Sequence, residues 1–216
     1  MRVVAIDGPA GAGKSTIARA LARRLEIPYL DTGAMYRAVT HAALRDGVEP
    51  GDAEAVTHLA TTAHIHVGYD TVTVDGVDVT HEIRSDRINQ AVSRVAAISG
   101  VRMVLREQQR AWVSKHGGGV VEGRDIGTVV FPDATLKVFL TASAQVRARR
   151  RVAEYGGDVE AIARSISERD RLDSSRADSP LMTADGSITV DTSDLSIDEV
   201  VAKLHALVVE REATNG

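Results

Sequence analysis

Apolar positions along the chain fall into short β-branched runs that alternate with stretches of helical spacing. Val3 to Ile6 is such a run and ends in Asp7 and a Gly-rich turn. The residues that follow, Ser15 to Leu25, carry Ile17, Leu21 and Leu25 at intervals of four, the spacing of one helix face. This reads as strand, loop, helix. The rhythm recurs: Ile27 to Leu30 predicts a strand before a helix from about Ala34, and Val120 and Val121 a buried strand. Leu136 to Leu140 predicts another before an Arg-rich helix, and Ile188 to Val190 one before the last helix. Ser196-Ile197-Asp198-Glu199 opens that last helix as an S-x-x-E capping box, in which each of the two side chains satisfies a free N–H at the helix end. Strands alternating with helices imply an α/β fold, a parallel sheet covered by helices on both faces.

One segment breaks the rhythm. From His64 to Val79 the sequence HIHVGYDTVTVDGVDV alternates with period two and carries a turn signal at Asp75-Gly76, which predicts a small antiparallel patch. Together with a helical stretch from Asp86 to Ala97 it reads as an insertion, about residues 63–97, into a single domain whose core is 1–62 and 98–216. No internal repeat or low-complexity tract is visible.

Composition narrows the class. A chain of 216 residues that is 44% hydrophobic, 26% charged and 3% aromatic is a globular domain, not a disordered or collagen-like one. Its net charge of -4 creates no overall basic field, so no nucleic-acid partner is expected. Four of the 26 basic residues are lysines (Lys14, Lys115, Lys137, Lys203), leaving 22 arginines, a bias suited to bidentate capture of phosphates or carboxylates and equally to a GC-rich genome. The absence of cysteine excludes a disulfide scaffold, a thiolate zinc site and a Cys nucleophile. The apolar run in MRVVAID is too short for a signal peptide, and nothing approaches eighteen consecutive apolar residues, so a cytoplasmic location without membrane association is expected.

The strongest chemical signal is Gly8-Pro9-Ala10-Gly11-Ala12-Gly13-Lys14-Ser15, which fits GxxxxGK[ST] between a predicted strand and a predicted helix, the context that this phosphate-binding loop requires. Glycines there let backbone N–H groups turn inward around phosphate oxygens, and the helix start adds its positive end. Lys14 would reach the β- and γ-phosphates of a triphosphate, and the Ser15 hydroxyl would ligate Mg²⁺. Asp31-Thr32-Gly33 resembles the aspartic-protease triplet, but that mechanism needs a second copy and none occurs. A strand-to-helix turn is the better account. His64 and His66 share one face of a strand at a spacing that can bind metal, yet acidic partners in register are lacking and solvated histidines are expected. Arg147, Arg150 and Arg151 stand at i, i+3 and i+4 on one helix face, with Arg149 beside them and no matching acids nearby. In a P-loop protein such guanidiniums are candidates to close over phosphates. Arg169, Asp173 and Arg176 share a face if their helix continues, and there the competing account is a surface ion-pair ladder.

Taken together, IDGPAGAGKST, LDTGAMYR from Leu30, EGRDIGTVVFPDA from Glu122 and ERDRLDSSR from Glu168 resemble the bacterial cytidylate kinases, nucleoside monophosphate kinases acting on CMP and dCMP, over essentially the whole chain. The resemblance implies a P-loop core, a small NMP-binding insertion and a helical lid of roughly Ala144 to Asp158. It implies an ATP donor held by Gly8 through Thr16, Mg²⁺ on Ser15, and no nucleophile. Lys14, Arg124, Arg147, Arg150 and Arg151 would act as electrostatic stabilisers. Arg37, Arg124 and Arg176 match positions that hold the acceptor phosphate. Ser93, Arg102 and Asp125 match those that read cytosine, and Thr32, Tyr36, Arg169 and Asp173 those around the nucleoside and its sugar, with Thr32 replacing a Ser found in some members. The implied partners are CMP and dCMP alone, and the chain is expected to act as a monomer.

The cytosine edge independently suits these types. It offers a donor at N4 and acceptors at N3 and O2, calling for one carboxylate and for donors such as Arg or Ser. Uracil would set an acceptor against Asp125, so discrimination against UMP is expected but incomplete. The alternatives are another small-molecule P-loop kinase, such as an adenylate or shikimate kinase, a GTP-driven switch, and a nucleic-acid-binding module. No lysine follows an Asn, so the N-K-x-D guanine reader of a switch is missing. Asp7, Glu122 and Asp125, near predicted strand ends, are candidates to orient Mg²⁺ through its waters.

Overall fold

The computed structural model describes residues 1–215 and divides into two compact units, Met1–Tyr29 with the chain from His116 onward, and Leu30–Lys115. The chain's larger sheet has five strands in the order β2 (Tyr29–Asp31), β6 (Gly118–Gly123), β1 (Arg2–Asp7), β7 (Leu136–Thr141), β8 (Ile188–Asp191), the last four of them in the first unit. β1 pairs in parallel with both β6 and β7, and β7 in parallel with β8, as the alternation of strand and helix implies. The β1–β6 register sets Ile6 opposite Glu122 and Asp7 opposite Gly123, so the two strands deliver their acidic residues to the same end of the sheet. Val3 to Ile6 and Val120 with Val121 are fully enclosed, which explains why these runs are apolar throughout instead of alternating.

Helix α1 (Lys14–Leu25) buries Ile17, Ala18, Leu21 and Leu25 and packs against β6 and the last helix, α8 (Ile197–Asn215). It ends at Glu26, whose left-handed backbone (φ 54°) turns its N–H back to the Ala22 and Arg23 carbonyls; Pro28 follows and cannot continue a helix. The capping box of α8 forms as read: the Glu199 N–H donates to Ser196 Oγ at 3.3 Å and the Ser196 N–H to Glu199 Oε2 at 2.8 Å. A five-residue π-helical turn, Ile126–Val130, links β6 to β7. Two antiparallel neighbours, α6 (Ala144–Tyr155) and α7 (Val159–Ser174), follow β7, with Asp158 capping α7 through the Ala161 N–H at 2.7 Å.

In the second unit the period-two segment forms a three-stranded antiparallel sheet, β3 (Ile65–Val67), β4 (Val72–Val74) and β5 (Val77–Asp78). Asp75 and Gly76 make the β4–β5 turn with φ of 53° and 80°, positive at both central positions as a tight hairpin of matching twist demands. His64 and His66 are exposed on this patch, and no third metal ligand joins them among the described residues. α2 (Thr32–Arg45), capped by Asp31 through the Ala34 N–H at 2.9 Å, packs on the patch and against α3 (Ala53–Thr62) and α4 (Asp86–Val95), and α5 (Ser99–His116) follows. The compact unit is therefore larger than the 63–97 segment that breaks the sequence rhythm, and contains it whole. No helix among the described residues is long and apolar enough to cross a membrane.

Candidate active site

The loop Gly8 to Gly13 leaves the end of β1 pressed against the neighbouring strand. A side chain at Gly8 would put its Cβ 2.0 Å from the Leu140 carbonyl oxygen, and its φ of 149° is one that residues with a Cβ rarely adopt. Glycine is required there by contact as well as by conformation. Gly13 precedes α1 in a left-handed conformation and, having no side chain, cannot cap the helix, so the positive helix end is left to the loop.

Lys14 is 7% exposed and curls back to donate from Nζ to the Pro9 carbonyl at 2.8 Å. Burial, followed by the positive charge of Arg124 and then of Arg169, pulls its pKa down to about 7; Glu122 and Asp7 oppose the shift without cancelling it. A polyanion entering such a surrounding would meet the positive charges of Lys14, Arg124 and Arg169 together. Asp7, also buried, accepts the Ile126 and Gly127 N–H groups at 2.8 and 2.7 Å. Burial nevertheless pushes its carboxyl up to about 6, with the negative charge of Asp125 adding to the rise. Glu122 is buried and accepts a hydrogen bond from the Tyr29 hydroxyl.

Asp173, 1% exposed, is the hub of a cationic cluster: Arg124 Nε donates to its Oδ2 at 2.9 Å, and Arg176 donates to its Oδ1. Burial alone would raise its pKa, but Arg124, Arg176 and Arg169 together draw it below the ordinary carboxylate value. α7 ends at Ser174, so Arg176 lies beyond the helix and still reaches Asp173. With its central carboxylate enclosed, this cluster is no surface ladder.

The arginines of α6 differ from expectation in one respect. Read locally they lack acids, yet Arg147 is buried and donates to Asp170 Oδ2 at 2.5 Å, to the Ala10 carbonyl at 2.9 Å and to the Ala142 carbonyl at 3.0 Å. Arg150 donates to Thr192 Oγ1 at 2.9 Å and to the Thr192 carbonyl at 2.6 Å, while Arg151 is half-buried on the same helix. Partners 23 and 42 residues away along the chain are invisible to a pattern that looks within one helix. Asp170 and Thr192 are thus residues that sequence reasoning missed; the only signal for Asp170 was its place three residues before Asp173, one helical turn along the same face.

Five other candidate residues belong to the Leu30–Lys115 unit. Thr32 is buried in the first turn of α2, and Arg37 on the same helix donates to the Ile83 carbonyl at 2.8 Å. Arg102, 1% exposed on α5, donates to the Ala96 carbonyl at 3.0 Å and lies over the Tyr36 ring, 5.5 Å from its centroid. A guanidinium so enclosed, with one face on an aromatic ring, keeps a fixed orientation. Ser93 is half-buried on α4. Asp31, which caps α2, also faces Arg84 at 3.6 Å.

A Cytidylate kinase family model matches residues 4–210 of this chain. The chain belongs to the cytidylate kinase family. A cytidylate kinase of Mycolicibacterium paratuberculosis is 50% identical over 97% of this chain and 96% of its own, and one of Rhodococcus opacus 49% identical over 97% and 95%. Among solved structures, a gluconokinase of Sinorhizobium meliloti aligns with a TM-score of 0.51 and 14% identity over 97% of this chain and 92% of its own. A shikimate kinase of Bacteroides thetaiotaomicron aligns at 0.50 and 14%, over 96% and 98%. At such identities the likeness extends to the α/β kinase fold alone. The family assignment makes the chain a phosphotransferase of the cytidylate kinase type, with a nucleoside triphosphate donor and small nucleotide acceptors, as its sequence implies. It sets aside the switch and nucleic-acid readings.

Proposed function

We propose that the chain transfers the γ-phosphoryl group of ATP to CMP and dCMP in line, giving CDP and dCDP, with Mg²⁺ and with the residue roles set out above. The observation that carries this reading is the convergence on one P-loop of Lys14, Arg124 and Arg169, with Asp173 holding Arg124 and Arg176 beside them. Phosphoryl transfer needs little covalent work from a protein, and a preorganised set of cations in a water-poor site supplies most of the stabilisation. The acceptor is an already anionic phosphate oxygen, so no general base is invoked. Gly8 through Thr16 cradle the triphosphate; Lys14 carries positive charge to the transferring group, and its proton is retained once that group is bound. Arg37, Arg124 and Arg176 hold the acceptor phosphate, with Arg124 also facing the transferring group.

Asp125 accepts from N4 of cytosine, and Arg102 and Ser93 donate to its remaining edge. Thr32, Tyr36, Arg169 and Asp173 serve the nucleoside and its sugar. Hard oxygen donors suit Mg²⁺, which binds few protein groups and keeps its waters. The Ser15 hydroxyl at the start of α1 fits it, with the buried carboxylates of Asp7 and Glu122 at the end of β1 and β6 able to accept from those waters. When bound, it neutralises polyphosphate charge. The NMP-binding insertion is taken as about 63–97 and the lid as about 144–158, its first two turns clasped through Arg147 and Arg150. The chain works as a cytoplasmic monomer.

A coupled assay of ADP formation over a panel of nucleoside monophosphates tests this. CMP and dCMP should be turned over fastest, UMP more slowly, AMP and GMP barely. A preference for AMP, or triphosphate hydrolysis indifferent to acceptor, would refute it.

A further inference from the structure

We propose that Asp170 is a positioning residue for phosphoryl transfer, tying the P-loop at Ala10 to Arg147 of α6 and so fixing where both stand. This rests on the reading of the loop as the ATP site. The two oxygens of Asp170 are divided: Oδ1 accepts the Ala10 N–H at 3.2 Å, and Oδ2 accepts Arg147 Nη1 at 2.5 Å. The same Nη1 donates to the Ala10 carbonyl at 2.9 Å. Ala10 is therefore gripped by both of its backbone groups, one through a carboxylate and one through a guanidinium, and these two grip each other. Arg147 Nε is fixed in addition on the Ala142 carbonyl, just beyond β7.

The contact is close along the backbone as well. A Cβ at Gly11 would lie 3.1 Å from Arg147 Cβ, so α6 leans directly on the loop. Apart from Pro9, the loop is glycine and alanine and has almost no side chains with which to hold its own shape, and glycine carries the largest freedom to be lost on ordering. Polar groups brought from elsewhere must supply the rigidity. Thr192 gives one more, from Oγ1 to the Ala12 carbonyl at 3.3 Å. With side chains 19% and 10% exposed, Asp170 and Arg147 are shielded enough for their attraction to exceed that of a surface pair. Asp170 also lies on the helix that carries Arg169 and Asp173, so a single element links the donor loop to residues assigned to the acceptor. It reaches the reaction only through Ala10 and Arg147.

The test compares the native chain with Asp170→Asn, Asp170→Ala, Arg147→Ala and the double variant Asp170→Ala/Arg147→Ala. It measures kcat and KM for ATP and CMP, and calorimetric affinity for a non-hydrolysable ATP analogue and for CMP separately. Asp170→Asn preserves the shape and one acceptor but removes the charge facing Arg147, so it serves where Asp170→Ala does not fold. The expected result is a loss of roughly ten- to a hundredfold in kcat/KM for ATP, the scale of a misplaced reacting group. Analogue affinity should fall with it, while CMP affinity stays within about twofold, since a displaced loop leaves the acceptor's own contacts in place. Adding Asp170→Ala to Arg147→Ala should cost little more, because residues acting through one another are not additive. Native-like kcat/KM for ATP, an equal loss of CMP and analogue affinity, or losses that multiply in the double variant would each overturn the proposal. If the native chain prefers an acceptor other than CMP, the substrate assignment falls, while the analogue-binding arm still decides on Asp170.

Discussion

Removing the carboxylate of Asp173 should destabilise the fold, by an amount that follows from its surroundings. The residue is 1% exposed, and its partners Arg124 and Arg176 have side chains 18% and 8% exposed, so Asp173→Ala leaves two guanidiniums facing one another with little water between them. Breaking a buried pair by deleting one partner costs about 3–5 kcal/mol. Arg124 retains a contact with the Gly123 carbonyl and some access to solvent, which places the expected loss near the lower end, about 3 kcal/mol. Asp173→Asn keeps one neutral acceptor for a charged donor and should lose about 2 kcal/mol.

The pH dependence has a definite sign. Asp173 is held below its ordinary carboxylate value in the folded protein, so its stabilising effect is complete above the unfolded pKa of about 3.9 and is lost as pH falls further, through the folded value. Urea unfolding of the native chain and of both variants at pH 7 and at steps below pH 4 measures this, with the midpoint moving and the slope unchanged. A deficit under about 1 kcal/mol at pH 7, the value of a solvated pair, or one that does not shrink below pH 4, would refute the reasoning.

Substitutions at three further positions have expected outcomes. Lys14→Met should lower kcat by about 10² to 10³ by removing a preorganised cation. Because the folded pKa of Lys14 is about 7 against the usual 10.5, the unfolded chain holds a proton that the folded one has shed between those values. Native stability should therefore rise with pH across that window and the variant's should not; equal slopes in urea midpoints from pH 7 to 10 would contradict this. Gly8→Ala, which drives a Cβ into the Leu140 carbonyl, should cost about 3 kcal/mol and lower Tm by about 6–12 °C in a thermal scan, and an unchanged Tm would refute the stated contact. Asp125→Asn should shift the kcat/KM ratio of CMP to UMP toward UMP by roughly tenfold, since an amide can donate where the carboxylate only repels; an unchanged ratio would remove Asp125 from base recognition.

Local chemistry made much of this protein legible. The strand, loop and helix of the P-loop could be read from Val3 to Leu25 because each signal there is local: a β-branched run, glycines at positive φ, and an apolar repeat of four. The same holds for the Asp75-Gly76 turn and the Ser196–Glu199 capping box, where the interacting groups lie within three residues of one another. Lys14 could be named from its motif, and Arg124 and the role of Asp173 from the resemblance to a family.

Only the folded chain decided what those residues experience. Lys14 is drawn toward neutrality first by its burial and then because the chain just after β6 and helix α7 bring Arg124 and Arg169 up to a loop more than a hundred positions away in sequence. Arg147 and Arg150, which as a local run look like uncompensated charge, gain an ion pair with Asp170 and hydrogen bonds to Thr192 respectively once α6, α7 and the segment after β8 converge on the loop. Sequence determined the chemical types and the local geometry, since backbone preference and helical spacing act over a few residues. Partnership, burial and the resulting shifts in charge state came from tertiary packing, because Coulomb interaction and desolvation depend on distance in space and not along the chain.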